Sequence, residues 1–178
     1  MPAPTTTLGS ATNAVDLYYT VGFSYDMARV KRLLPDDVTS TQVIDQLEQP
    51  RSDVDDFGYQ TSVRRGMVTG VIVESGVATV ALVGDIVDQM SEPTLRRAIA
   101  QLVLTLTSFS TDDSGAIGQV RFEIDGDGLE VFVPALDGSS EPGEELAFDD
   151  FESLRVTTDT PTTTTTTTPT TDPVTTAA

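Results

Sequence analysis

Closely spaced acids and one pair of adjacent arginines are the residues best placed to do chemistry in this chain. Asp125-Gly126-Asp127-Gly128 has the opening spacing of a calcium loop, in which alternate side-chain oxygens converge on a hard cation. An EF-hand loop beginning at Asp125 requires Gly at its sixth position and a bidentate Glu at its twelfth. Those positions hold Glu130 and Leu136, and Leu129 interrupts the donors at the fifth. A stacked calcium coil needs several glycine-rich nonapeptides, and the sequence carries a single such stretch. The motif therefore reads as the tip of a hairpin. Asp53, Asp55 and Asp56 form a second acidic group, beside Arg51, Arg64 and Arg65. Paired carboxylates can hold a metal or shuttle protons, and arginines can grip a carboxylate or phosphate. A solvated loop is the simpler reading of 51–56. Its rival is a small-ligand or metal-binding pocket formed by the acidic loop 51–56 with Arg64 and Arg65.

Composition narrows the chemistry further. The chain has no Cys and no His, which removes disulfides, thiolate metal sites, the cysteine nucleophile and the commonest general base. A serine triad of the usual kind cannot be assembled. No GxSxG, GxxxxGK[ST] or GxGxxG pattern occurs. No catalytic, cofactor-binding or metal-ligating residue is assigned, and an enzyme is not expected. The net charge is −18 over 178 residues, and the ten basic residues are Lys31 and nine arginines. Such a surface repels nucleic acid and anionic lipid headgroups. No apolar run approaches the length of a membrane span. The opening MPAPTTTLGSAT lacks the charged and apolar regions of a secretory signal. A cytosolic chain, or one starting downstream of a removed export signal or anchor, fits that opening.

Both ends are low in complexity. Residues 1–13 offer almost nothing to bury, and 156–178 include an unbroken threonine run from Thr162 to Thr168. Such segments cannot offset their ordering entropy, so both are expected to be disordered, the second as a possible glycosylated stalk. The folded unit is expected over 14–155. AVDLYYTVG predicts a strand at 15–21, and MARVKRLL, ending at Pro35, a second at 27–34. Thr39 or Ser40 can cap a short helix, TQVIDQLEQ, with Val43, Ile44 and Leu47 as its apolar stripe and Pro50 as its stop. Residues 51–66 read as loop. GMVTGVIVESGVATVALVG predicts a hairpin turning at Glu74-Ser75-Gly76, with Ala78, Val80 and Leu82 on one face.

SEPTLRRAIAQLVLTLTSFS, 91–110, carries the clearest helical pattern, with Ser91 as N-cap and Pro93 in the first turn. Leu95, Ala98, Ile99, Leu102, Val103, Leu106 and Phe109 form the apolar stripe. Arg96, Arg97, Gln101, Thr105 and Ser108 fall on the other side. GQVRFEIDGDGLEVFVP then alternates on both flanks of the acidic turn. A Gly126-Asp127 loop would set Ile124 opposite Leu129, and an Asp127-Gly128 loop would set it opposite Val131; either keeps the apolar face together. In GEELAFDDFESL, Leu146, Phe148, Phe151 and Leu154 are expected to seat a last turn or strand on the core. These elements predict an α+β domain, a mixed or antiparallel sheet of about five to six strands with two helices packed on one face.

The order of these segments resembles a GerMN domain, the module of spore-germination and sporulation lipoproteins and of related actinobacterial envelope lipoproteins. The resemblance rests on VDLYYTVG, the strand ending in RLLP, GVIVESGVATVALVGDI, LRRAIAQLVLTLTSF and GQVRFEIDG, and covers 15–133. The sequence departs from the family pattern at QPRSDVDDFGYQTSV and lacks a lipidation cysteine. The resemblance implies a non-catalytic, extracytoplasmic module, similar to the ring-building domains of secretion and sporulation channels. It also implies envelope proteins as partners, possible self-association, no cofactor and no membrane insertion by this chain.

Overall fold

The computed structural model describes residues 13–49, 58–111 and 115–156. The tails expected at 1–13 and 156–178 lie outside that description, apart from Asn13 and Val156, and so does the acidic loop at 51–56. Strands β1 (Asn13–Val21) and β2 (Met27–Leu34) form an antiparallel hairpin running from Thr20 opposite Met27 to Asn13 opposite Leu34. A short β3 (Tyr59–Gln60), within the stretch expected to be loop, pairs with Thr20 and Val21 on the other edge of β1. The long β1 is buried from Leu17 to Thr20 because both of its faces are covered. β2 is an edge strand, and Arg29 and Lys31 point to solvent there, which discourages further pairing.

Helix α1 (Ser40–Glu48) begins with a reciprocal cap. The Thr39 hydroxyl accepts from Gln42 N–H, and the Gln42 side chain accepts from Thr39 N–H. Val43, Ile44 and Leu47 are all buried. At its far end the Glu48 carboxylate accepts from Gly66 N–H at 2.8 Å and Val68 N–H at 3.3 Å. That ties α1 to the start of β4 (Val68–Glu74).

β4 and β5 (Val77–Leu82) form the expected hairpin. Its two-residue turn places Ser75 and Gly76 at φ 52° and 82°, the positive values a type I′ turn requires. Ala78, Val80 and Leu82 are buried on one face. The chain then leaves the sheet through a short helix, α2 (Gly84–Asp88), and the long α3 (Glu92–Thr107). After a short hairpin of β6 (Ser110–Thr111) and β7 (Gly115–Ala116), β8 (Gln119–Ile124) lies parallel to β5, from Val77 opposite Gln119 to Leu82 opposite Ile124. The sheet is thus mixed and the class α+β, as the pattern of elements implies.

The turn after β8 takes a register that differs from both expected ones. The loop is Asp125-Gly126, with φ 54° and 87°, and Ile124 pairs with Asp127 of β9 (Asp127–Gly128). Asp125-Gly126 has the same type I′ chemistry as Asp127-Gly128, so local propensity does not choose between them. Gly128 is needed elsewhere: a Cβ there would stand 2.6 Å from the Gly143 nitrogen and 2.7 Å from its Cα. Val131 and Val133 accordingly do not continue the β8 ladder. They reach the core from a separate small hairpin, β10 (Phe132–Val133) with β11 (Gly138–Ser139). β12 (Leu146–Ala147) completes the mixed sheet beside β8, and Leu146 and Phe151 are buried as their spacing suggested.

α3 packs against β1 of one sheet and against β8 and β12 of the other. Every residue from Ala98 to Leu106 is buried, the mark of a helix inside a core rather than on its surface. Gln101 and Thr105, which the spacing puts on the polar side, are both 0% exposed. They are satisfied by the backbone of β1: Gln101 Nε2 donates to Tyr18 O at 2.9 Å, and Tyr18 N–H donates to Thr105 Oγ1 at 3.1 Å. Gln101 Oε1 also accepts from Ser62 N–H at 2.6 Å.

Thr105→Val keeps the shape and strands the Tyr18 N–H, which should cost about 1–3 kcal/mol of stability. Gln101→Leu strands one carbonyl and one N–H and should cost more than Thr105→Val, read as a lower urea midpoint. Gly128→Ala should also destabilise, by about 1–3 kcal/mol, because its Cβ meets backbone and not a side chain that can turn away.

Candidate interaction site

The polar stripe of α3 continues one turn beyond Gln101 to Arg97. Arg97 sits where the helix emerges from the core, below the turn joining β1 to β2. Its guanidinium donates to Phe23 O at 3.1 Å, to Ser62 Oγ at 3.4 Å and to Thr94 Oγ1 at 3.4 Å, and stands 5.7 Å from the Tyr25 ring centroid. Arg97 therefore clasps three separate pieces of chain: the 22–26 turn, the segment after β3 and the first turn of α3.

The 22–26 turn is tightly made. Val21 N–H donates to Asp26 O at 2.9 Å, Ser24 Oγ donates to Val21 O at 2.8 Å, and Gly22 supplies the positive φ of 58°. The result is an ordered turn that holds the Phe23 ring in solvent at 85% exposure, with Tyr25 at 40%. Burying the Phe23 ring would be worth about 1.5–3 kcal/mol, so its exposure is a standing cost to the isolated chain.

Beneath Phe23 lies an open cleft of about 260 Å³. Its polar lining includes Arg64, Arg97, Thr61, Ser62 and Thr94. The Arg64 side chain is exposed and makes no hydrogen bond or ion pair among the described residues, while its backbone carbonyl accepts from Met67 N–H at 2.9 Å. Arg97 bonds only to neutral oxygens. Four other arginines face carboxylates: Arg29 with Asp16 at 3.5 Å, Arg121 with Glu123 at 3.8 Å, Arg155 with Glu152 at 3.3 Å, and Arg96 with Glu92. The cleft thus gathers two guanidinium groups with no opposing carboxylate among the described residues, in a chain of net charge −18.

Of the residues singled out by sequence, Arg64 lines this cleft and Arg65, although exposed, does not. Asp53, Asp55 and Asp56 lie outside the described residues, so the expected grouping of 51–56 with the arginines is not one the structure describes. Arg97 is the residue that sequence reasoning missed, having been assigned to the solvent side of the helix. A usable signal was present: Arg97, Gln101 and Thr105 recur every four residues on a helix that is otherwise apolar in its interior.

Two other clefts are smaller in chemical content. One of about 130 Å³ is lined by Ile99, Val131 and Phe132, and Arg96 lies over the Phe132 ring at 3.8 Å while paired with Glu92. Another, of about 490 Å³, carries Asp85, Asp88 and Asp125 on its rim. Among the described residues no three His, Cys, Asp or Glu side chains gather closely enough to hold a metal.

A family model described as Germane, sporulation and spore germination, matches residues 10–130. The chain belongs to this family. The fold of the GerMN-type domain is also seen in solved structures of GerM, a sporulation protein from Bacillus subtilis. The tandem GerMN domains of that protein superpose with a TM-score of 0.55 at 19% identity, covering 78% of this chain and 47% of the tandem. Its first GerMN domain alone gives a TM-score of 0.51 at 19% identity, covering 78% of this chain and 99% of that domain. This chain therefore spans about half of the tandem structure and the whole of one of its domains. At such identity the likeness speaks for the fold. No curated protein matches the sequence. Among the described residues, no helix of the GerMN-type domain is long and apolar enough to cross a membrane.

The Asp125-Gly126 turn gives a direct chemical expectation. Asp125 and Asp127 are both exposed on a tight hairpin and, among the described residues, gather with no third carboxylate into a metal-sized cluster. Micromolar calcium should leave the thermal midpoint of this domain unchanged; a rise of several degrees would reveal a specific site.

Proposed function

We propose that this GerMN-type chain is a non-catalytic interaction or scaffold domain of the cell envelope, acting outside the cytoplasm and docking envelope proteins at the end that carries Phe23. One observation carries the reading: an aromatic ring almost fully exposed on a turn that six backbone and side-chain bonds hold in place. Large exposed aromatic side chains on pre-organised surfaces are the usual anchors of protein interfaces, because little entropy is lost when they are covered. Membership of a sporulation and germination family supports the same class of role. The fold likeness to GerM, named as a sporulation protein, agrees with it.

The test places a photo-crosslinking amino acid at Phe23 and, as a control of comparable exposure, at Leu136 (63% exposed). Crosslinking in the native envelope should give a discrete adduct from position 23 and none from position 136. Equal labelling at the two positions, or none at either, would remove Phe23 as the docking end. Phe23→Ala should leave stability within about 0.5 kcal/mol of the parent, since the ring packs on little, so a loss of partner would not reflect unfolding.

A further inference from the structure

The Phe23 end also carries the chemistry to select what docks there. We infer that the Arg64–Arg97 cleft binds a carboxylate side chain of an extended acidic peptide segment on the partner, with an apolar neighbour of that acid laid against Phe23. This inference rests on the docking role proposed for Phe23, and it adds the chemical class of the ligand.

Three features point to a carboxylate. First, the two guanidinium groups share one cleft and meet no acid among the described residues, whereas four other arginines of this acidic chain are paired. Second, Arg97 has donors to spare. A guanidinium carries five N–H groups, and the structure engages three, two of them at 3.4 Å, the long limit of a useful bond. Arg97 is thus oriented by the fold and still able to donate. Third, the Ser62 hydroxyl in the same lining accepts from Arg97 and keeps its own proton to donate to an oxygen the guanidinium groups leave free.

The overall charge decides between anions. A nucleic acid or an anionic lipid surface brings many phosphates against a chain of net charge −18 and is repelled over its whole face. A single carboxylate on a peptide meets only the local positive field, and an adjoining apolar side chain gains the surface of Phe23, which is 85% exposed. The combination of one acid and one apolar group matches a polypeptide.

The probe is a panel of acetylated, amidated hexapeptides with two glutamates flanking one variable apolar or aromatic residue, each paired with its glutamine counterpart. They are titrated into the full chain at about 50 mM and about 500 mM salt. At least one glutamate peptide should bind tenfold or more tighter than its glutamine twin, lose that advantage at high salt, and shift the amide signals of Gly22 and Ser62. Arg64→Gln should weaken that binding roughly tenfold or more. The Arg64 side chain is exposed and makes no bond within the described fold, and its backbone bond to Met67 N–H is indifferent to the side chain, so this variant keeps the structure. Arg65→Gln, next door and outside the cleft, changes the net charge equally and should leave binding unaltered. Equal binding of the glutamate and glutamine series, binding by no member of the panel, or equal loss from Arg64→Gln and Arg65→Gln would each overturn the inference. A discrete crosslink from position 23 without peptide binding would leave the docking role standing and the carboxylate assignment overturned.

Discussion

The two bonds between the Tyr18 backbone and the side chains of Gln101 and Thr105 set the geometry on which the rest of this domain depends. β1 gives one edge to β2 along its whole length. On the other edge β3 reaches only Thr20 and Val21. The Tyr18 N–H and C=O would otherwise be buried without partners, at a cost comparable to one or two kcal/mol each. α3 supplies the partners from its own side chains, and so acts as a replacement strand at that edge. Because side-chain bonds are short and directional, they fix both the rotation of the helix and its height along the strand.

That placement has consequences in both directions along α3. Toward its C-terminus, the helix is held with Leu102, Leu104 and Leu106 buried, between β1 on one side and β8 and β12 on the other. Toward its N-terminus, the same stripe brings Arg97 beneath the 22–26 turn, where it fastens the backbone of Phe23. The exposed aromatic tip and the positive cleft are therefore products of one constraint. The core fixes the helix, the helix fixes Arg97, and Arg97 fixes the turn. Interaction surfaces are usually carried on loops held by a rigid scaffold, and here the link from scaffold to loop can be followed bond by bond.

The charge distribution separates this end from the remainder of the molecule. Arg29, Arg96, Arg121 and Arg155 each lie beside a carboxylate, in pairs mostly exposed to solvent and worth little to stability. Arg64, Arg65 and Arg97 face no carboxylate among the described residues, and of these Arg64 and Arg97 share one cleft. In a chain so acidic, two such arginines in one cleft beneath an exposed Phe23 give that end of the GerMN-type domain a local positive and apolar character.

Local signals along the chain were enough to place most elements. The capping chemistry of Thr39 and Ser91, the alternation of Ala78, Val80 and Leu82, and the three- and four-residue spacing of α3 are properties of neighbouring residues, and each appears in the structure where its pattern lies. The motif order likewise carried the family. Three matters were decided only by tertiary contacts. The turn register at Asp125-Gly126 depended on Gly128 being required against Gly143, a neighbour fifteen residues along the chain. The burial of Gln101 and Thr105 depended on the unsatisfied edge of a strand more than eighty residues away. Arg64 and Arg97 became a cleft only when β1, the segment after β3 and α3 converged. Periodicity reports which residues share a face of one element. What that face meets, and whether a polar residue on it finds water or a backbone group, is settled by packing between elements that the chain brings together from far apart.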